Sequence, residues 1–232
     1  MNRDEIVEKI AFGAATKGND FHLSPVQPYW PEDIPQREYD PDQARSLLKK
    51  AGAENLSVSL STADSVFSGA VDMCVLYAEQ AKQAGINIKV VREPNDGYYS
   101  DVWLKKPFTA VSWGARPTPD VMFTLAYSKG AAWNESHWEN ERFNELLLMA
   151  KSELDDAKRA EMYREMCLLM RDDGGTLLPF FNNWVYARGK GVERNEEATV
   201  PAALRLALRD VDLFVRLLQR LRQLFVALRF NY

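Results

Sequence analysis

The segment LSVSLSTADSVFSGAVDMCVLYAEQAKQAGINIKV, residues 56–90, carries the strongest structural signal in the chain. Its first apolar residues alternate with serines, which is the period of a half-buried strand: Leu56, Val58 and Leu60. An apolar helical face follows, from Phe67 to Ala81, and Gly85 ends it. Alternation then resumes in a second run: Ile86, Ile88 and Val90. A strand, a helix and a strand in this order predict a βαβ unit with parallel strands.

Helices are also predicted before this unit. A short one ends at Gly13, and a second begins at the N-cap Asp40, with Pro41 in its first turn, and ends at Gly52. The second helix has an apolar stripe that we expect to be buried: Ala44, Leu47 and Leu48. Between these helices, residues 14–39 show no periodicity and contain several prolines, which predicts a long crossing loop.

After the βαβ unit, periodicity predicts five further elements. They are a short helix at Tyr98–Leu104, a buried strand at Phe108–Trp113, a helix with a face from Phe143 to Ala150, a helix that stops at Gly174 and Gly175, and a strand at Leu177–Val185. The predicted fold class is therefore α/β, with a mixed sheet flanked by helices.

Composition excludes several classes of protein. The 232 residues carry 29 Lys and Arg against 33 Asp and Glu, a net charge of -4, which argues against a nucleic-acid binder held by phosphate contacts. Both cysteines fall in apolar helical patterns, which excludes a disulfide framework. No metal-ligand spacing and no phosphate-binding, dinucleotide-binding or nucleophile motif occurs. We expect no metal, no cofactor and no enzymatic activity.

The C-terminal segment, residues 196–232, differs from the rest in composition. Residues 202–230 contain no Lys, Gly, Ser or Thr, and four arginines fall on one helical face opposite a broad apolar one. This pattern predicts a basic amphipathic helix that binds a membrane surface or a partner. Two alternatives stay open: a helix that docks on the body of the fold or self-associates, and a segment that is not the natural end of the protein.

Aromatic residues are concentrated in loops and at the ends of short predicted elements, and such a set is typical of a ligand cleft rather than of a reaction centre. They are Tyr29, Trp30, Tyr98, Tyr99, Trp103, Trp113, Trp133, Trp138 and Trp184. In SWGARPTPD, residues 112–120, a glycine and two prolines end the predicted strand, so we expect Trp113 and Arg116 at the edge of the sheet. Binding sites are common at such strand ends.

The segment SWGARPTPDVMFTLAYSKGAAWNESHW, residues 112–138, resembles the peptide-type solute-binding proteins of bacterial ABC importers, family 5 of the extracellular solute-binding proteins. Further blocks support the resemblance in chain order: NRDEIVEKIAFGAATKGND, DPDQARSLLKKAG, GINIKVVREP, RFNELLLMAKSELDDAKRAEMYREM and DDGGTLLPFFNN. The resemblance covers roughly residues 2–192 and corresponds to the second half of such proteins, essentially one lobe of a two-lobed clamp.

The resemblance implies a periplasmic-binding-protein-like lobe at residues 1–195, with the helical tail at 196–232 outside the family pattern. It further implies capture of a peptide or peptide-like solute, closure against a missing N-terminal lobe, and delivery to a membrane permease. It implies a periplasmic location, while the first residues read as an amphipathic helix and not as an export signal. The alternative function is an interaction module that binds a membrane surface or partner through the tail.

Six residues are selected as candidate ligand contacts: Asn19, Asp20, Tyr98, Trp113, Gly114 and Arg116. In the oligopeptide-binding branch of the family, an Arg three residues before the tryptophan and an Asp three after it hold the ends of a zwitterionic peptide. Here these positions are Ala110 and Arg116. A guanidinium repels an ammonium group but can fork onto a carboxylate or phosphate. The resemblance therefore does not imply the usual peptide clamp for this chain.

Overall fold

The computed structural model describes residues 1–183 and Val185. Residues Met1–Val185 form one compact unit. In chain order its elements are α1 (Arg3–Lys9), β1 (Ala15–Lys17), α2 (Pro41–Lys50), β2 (Ser57–Thr62), α3 (Ala70–Lys82), β3 (Asn87–Arg92), a single-turn π-helix (Tyr98–Val102), α4 (Pro119–Ala126), α5 (Glu141–Ser152), α6 (Asp156–Asp173) and β4 (Phe180–Asn182). The helix predicted in the tail and Trp184 lie outside the described residues.

The βαβ unit predicted from the sequence is confirmed. Strands β2 and β3 pair in parallel, in a register that runs from Ser57 opposite Asn87 to Thr62 opposite Arg92. The alternating apolar residues point to one side of this pair, where they pack against α3: Val58, Leu60, Ile88 and Val90. Cys74 of α3 lies in the same cluster and is fully buried. One face of the pair is therefore core, and the serines of β2 lie on the other.

The strand predicted at Phe108–Trp113 is reduced to a single bridge between Ser61 and Thr109. The backbone N–H of Ser61 donates to Phe108 O at 3.0 Å, and that of Ala110 donates to Ser61 O at 2.8 Å. Beyond this bridge the backbone is bound by a side chain and not by a neighbouring strand, since the Tyr98 hydroxyl donates to Ala110 O at 2.7 Å. The chain therefore leaves the sheet before Trp113.

The mixed sheet is present as two separate two-stranded sheets within the described residues. Strand β1 lies in the crossing loop, where no strand was predicted, and pairs antiparallel with β4. The strand predicted at Leu177–Val185 contracts to the three residues of β4. Pro179 has no N–H to donate, and the N–H of Leu178 donates to the Asp20 carboxylate at 2.8 Å instead of to a strand.

Helix α2 forms as predicted, but its apolar stripe is not buried. The Asp40 side chain accepts a hydrogen bond from the N–H of Gln43 at 2.7 Å, as expected of an N-cap. No residue of α2 is buried, and Leu47 is 57% exposed. The expectation of a buried stripe at Ala44, Leu47 and Leu48 was therefore wrong, because α2 lies on the surface of the described unit.

A second core lies among α4, α5 and α6. Helix α4 was not predicted, because Pro117 and Pro119 indicated a loop, although Pro119 occupies the first turn, where proline is tolerated. Its residues pack with the two following helices and with the crossing loop: Phe21, Leu23, Ile34, Met122, Phe123, Phe143, Leu146, Met166, Cys167 and Met170. Trp113 and Trp138 pack against the margin of this core. Among the described residues, no helix is long and apolar enough to span a membrane.

Candidate ligand-binding site

Three tryptophans from separate segments meet around one carboxylate; we call Trp103, Trp113, Trp133 and Glu135 the tryptophan cluster. The ring centroids of Trp113 and Trp133 are 6.0 Å apart, and those of Trp103 lie 6.4 Å and 6.3 Å from these two. The Glu135 carboxylate accepts a hydrogen bond from Trp103 Nε1 at 2.5 Å and one from Trp113 Nε1 at 3.1 Å. The indole N–H groups of Trp103 and Trp113 therefore each have an acceptor, and the carboxylate fixes these two of the three rings.

The Glu135 carboxylate is partly buried beside the indole rings. Burial raises the pKa of the Glu135 carboxyl above its usual range, and the hydrogen bonds from Trp103 and Trp113 oppose this rise. Glu135 forms no ion pair with any described residue. Each carboxylate oxygen thus accepts one indole N–H and keeps a second lone pair.

The backbone that carries Trp113 is fixed from beneath by Tyr98. The Tyr98 hydroxyl lies 3.0 Å from Ser61 O and 2.7 Å from Ala110 O, and the residue is 1% exposed. The Ser112 hydroxyl adds a hydrogen bond to Val66 O at 2.7 Å. The segment therefore leaves the sheet in a defined direction and places the Trp113 ring in the cluster.

Arg116 is partly exposed and lies over the ring of Trp113. Its guanidinium carbon is 5.9 Å from the centroid of the Trp113 ring, which is a cation–π distance. Nη1 donates to Gly114 O at 3.1 Å, and Gln27 Nε2 donates to Arg116 O at 2.8 Å. In the described part of the chain, Arg116 makes no ion pair. The remaining N–H groups of the guanidinium are therefore available to an anion.

Asn19 and Asp20 belong to a different, buried network. Asn19 Oδ1 accepts from the N–H of Arg37 at 2.9 Å, and its Nδ2 donates to Pro35 O at 3.1 Å. Asp20 is 2% exposed and forms an ion pair with Arg3 at 2.5 Å. These contacts join α1, the crossing loop and the chain before β4, and none of them involves the tryptophan cluster.

The structure thus brings together three of the six predicted residues, Trp113, Gly114 and Arg116, with Tyr98 directly beneath them. Glu135 was missed by the sequence analysis. Its main partner Trp103 is 32 positions away in the chain, so no local pattern links the two. The available signal was an acidic residue inside the tryptophan-rich loop that follows α4.

A concavity of about 780 Å³ lies elsewhere, along the edge of β2. Its lining includes Val58, Tyr77 and Phe108, and none of the cluster residues. The cluster itself faces solvent, since Trp133 is 42% exposed. Within the described residues, no group of three or more His, Cys, Asp or Glu side chains is placed to hold a metal ion.

Residues 1–135 match the sequence profile of the bacterial extracellular solute-binding proteins, family 5 middle region. The chain therefore belongs to family 5 of the bacterial extracellular solute-binding proteins. The resemblance inferred from the sequence is confirmed, and so is the fold class.

Individual relatives agree with this assignment. The dipeptide-binding protein of Escherichia coli K12 is 25% identical over 194 residues, which are 77% of this chain and 35% of the relative. The peptide transport periplasmic protein SapA of Salmonella typhimurium is 29% identical over 175 residues, 71% of this chain and 31% of the relative. The chain thus spans about a third of the length of these relatives.

Solved structures show the same fold. The periplasmic binding protein DppA of Helicobacter pylori, in complex with the peptide STSA, superposes with a TM-score of 0.65 at 24% identity. The match covers 78% of this chain and 36% of that one. The described unit therefore has the architecture of part of a periplasmic binding protein.

Proposed function

We propose that this chain is one lobe of a two-lobed solute-binding protein that captures a peptide or peptide-like solute for an ABC importer. The observation that carries the proposal is the family match over residues 1–135. Relatives named for dipeptide binding and peptide transport support peptides as the solute class. The function is reversible capture without catalysis, and the place of action is the periplasm, followed by delivery to a membrane permease.

In this proposal the tryptophan cluster is one wall of the ligand cleft. Trp113 and Arg116 contact the solute, and Gly114, which has no side chain, leaves the backbone between them accessible. Tyr98 supports the wall from beneath, whereas Asn19 and Asp20 stabilise the buried network at α1 and the crossing loop. The second lobe closes over the open face and excludes water, as in hinge closure around a ligand.

The function is tested by titrating dipeptides and tripeptides into the complete two-lobed protein by isothermal calorimetry. We expect saturable binding together with a rise in melting temperature, because a ligand that binds only the folded state stabilises it. Free amino acids at equal concentration are the control. Absence of binding across a peptide library would contradict the proposal.

The role of Arg116 is tested in the same protein with Arg116→Ala and Arg116→Lys. Loss of a charge-assisted, partly desolvated contact costs about 2–4 kcal/mol, so Arg116→Ala should weaken binding roughly 30- to 1000-fold. Lysine should restore only part of the affinity, because one ammonium cannot reproduce two parallel hydrogen bonds.

Arg164→Ala is a matched control, since Arg164 pairs on the surface with Asp33. Melting temperatures measured alongside separate binding from folding. An unchanged dissociation constant for Arg116→Ala would exclude Arg116 from the cleft.

A further inference from the structure

The two charged residues at the tryptophan cluster, Glu135 and Arg116, differ in how available they are to a ligand. Glu135 is the carboxylate within the cluster, and both of its oxygens accept indole N–H groups, from Trp103 and Trp113. Each oxygen keeps a second lone pair, so Glu135 does not by itself exclude a ligand ammonium. Arg116 stands on the outer face of the same ring and repels a positive group. The charge of Arg116 is therefore the group that disfavours a free ammonium at this cluster.

The same wall offers an aromatic surface that continues up to Arg116. Tyr99 is 45% exposed and meets Trp103 with a centroid distance of 6.0 Å. Trp133 is 42% exposed and contacts both other tryptophans. Arg116 ends this series over the Trp113 ring. Flat ligand groups pack on such rings, and a planar guanidinium pairs best with a planar carboxylate.

We infer that the tryptophan cluster recognises an aromatic group next to a carboxylate, as at the C-terminus of a peptide that ends in an aromatic residue, and rejects the corresponding ammonium. This inference rests on the proposed function, because it names the class of peptide taken by the same wall. Glu135 is a positioning residue in this arrangement: it fixes two rings and leaves Arg116 as the charge that selects the ligand.

Two probes of matched shape test the inference on this chain. N-acetyltryptophan carries an indole and a carboxylate, and tryptophanamide carries an indole and an ammonium. Each is titrated to about 10 mM into ¹⁵N-labelled protein, and the indole N–H signals of Trp113 and Trp133 are followed by NMR after assignment with Trp→Phe variants. We expect N-acetyltryptophan to shift both signals saturably and tryptophanamide to bind at least about tenfold more weakly.

Variants then identify the selecting charge. Arg116→Ala should weaken N-acetyltryptophan binding about tenfold or more, and Arg116→Lys should retain part of it. Arg164→Ala, whose arginine pairs with Asp33 on the surface, should change nothing. Unperturbed signals elsewhere in each spectrum show that the variants are folded.

Equal or tighter binding of tryptophanamide would overturn the inference, and so would an Arg116→Ala variant that binds N-acetyltryptophan as well as the wild type. Absence of any shift with either probe would also overturn it. The proposed function would survive each of these results, because it is decided separately by peptide titration of the complete two-lobed protein.

Discussion

His22 connects the crossing loop to the end of α4 through a partly buried hydrogen bond. Its Nδ1 and the hydroxyl of Tyr127 share that bond, and the same hydroxyl lies 3.4 Å from Thr176 Oγ1. Burial lowers the pKa of His22 to about 4, from the ordinary value of 6.5. A protonated imidazole is thus disfavoured in the folded protein.

This burial predicts a loss of stability in mild acid. Above pH 6.5 His22 is neutral in both the folded and the unfolded state, and its contribution is complete. As the pH falls from 6.5 towards 4, the unfolded state takes up a proton that the folded state does not, so the free energy of unfolding should fall by about 2–3 kcal/mol. Urea unfolding across this pH range measures the change.

The control for this prediction is the other histidine of the chain. His137 is exposed and adopts a positive φ of 52°, which asparagine tolerates, so His137→Asn should keep the acid sensitivity of the wild type. His22→Gln should lose most of it. An acid profile shared by the wild type and His22→Gln would show that other groups cause the effect.

Helix α2 shows which structural features follow from the local sequence and which depend on packing. Its N-cap, its proline and its length could be predicted, since capping depends on residues within one turn. The burial of its stripe could not, because burial depends on what faces the helix. The same distinction explains why Glu135 was missed, since its partner Trp103 comes from a distant segment. It also explains why the strand predicted at Phe108–Trp113 is reduced to one bridge, since the Tyr98 hydroxyl donates to Ala110 O.

Two leucine substitutions test the difference in burial. Leu47 of α2 is 57% exposed, and Leu146 of α5 is 1% exposed. We expect Leu47→Ala to change the free energy of unfolding by no more than about 0.5 kcal/mol, and Leu146→Ala to lower it by about 2–5 kcal/mol through the cavity it leaves. Urea titrations of both variants decide the point. A large cost at Leu47 would mean that α2 is covered in solution.

In the described unit the aromatic wall faces solvent, and no second surface of that unit encloses it. The βαβ unit, the residues at the strand end and the family could be predicted from the sequence, because each depends on short patterns. The grouping of three tryptophans around Glu135 required the fold, since loops from three parts of the chain contribute to it.

This openness predicts weak binding by the isolated chain. Ligand sites bury most of the solute, and one wall contacts only one of its sides. We expect no complex tighter than about millimolar in calorimetry against a peptide library, while the complete two-lobed protein binds. A submicromolar complex with the isolated chain would contradict the half-clamp interpretation.

The burial of both cysteines makes the folded chain unreactive towards thiol reagents. Cys74 and Cys167 are each 0% exposed, and burial raises the pKa of Cys74 to about 11 and that of Cys167 well above its usual range. Maleimides react with the thiolate form of accessible cysteines. A cysteine introduced by Ser100→Cys, at an exposed position next to Tyr99, would therefore be labelled alone. A single dye at that position would convert the chain into a fluorescent sensor that reports solute arriving at the aromatic wall.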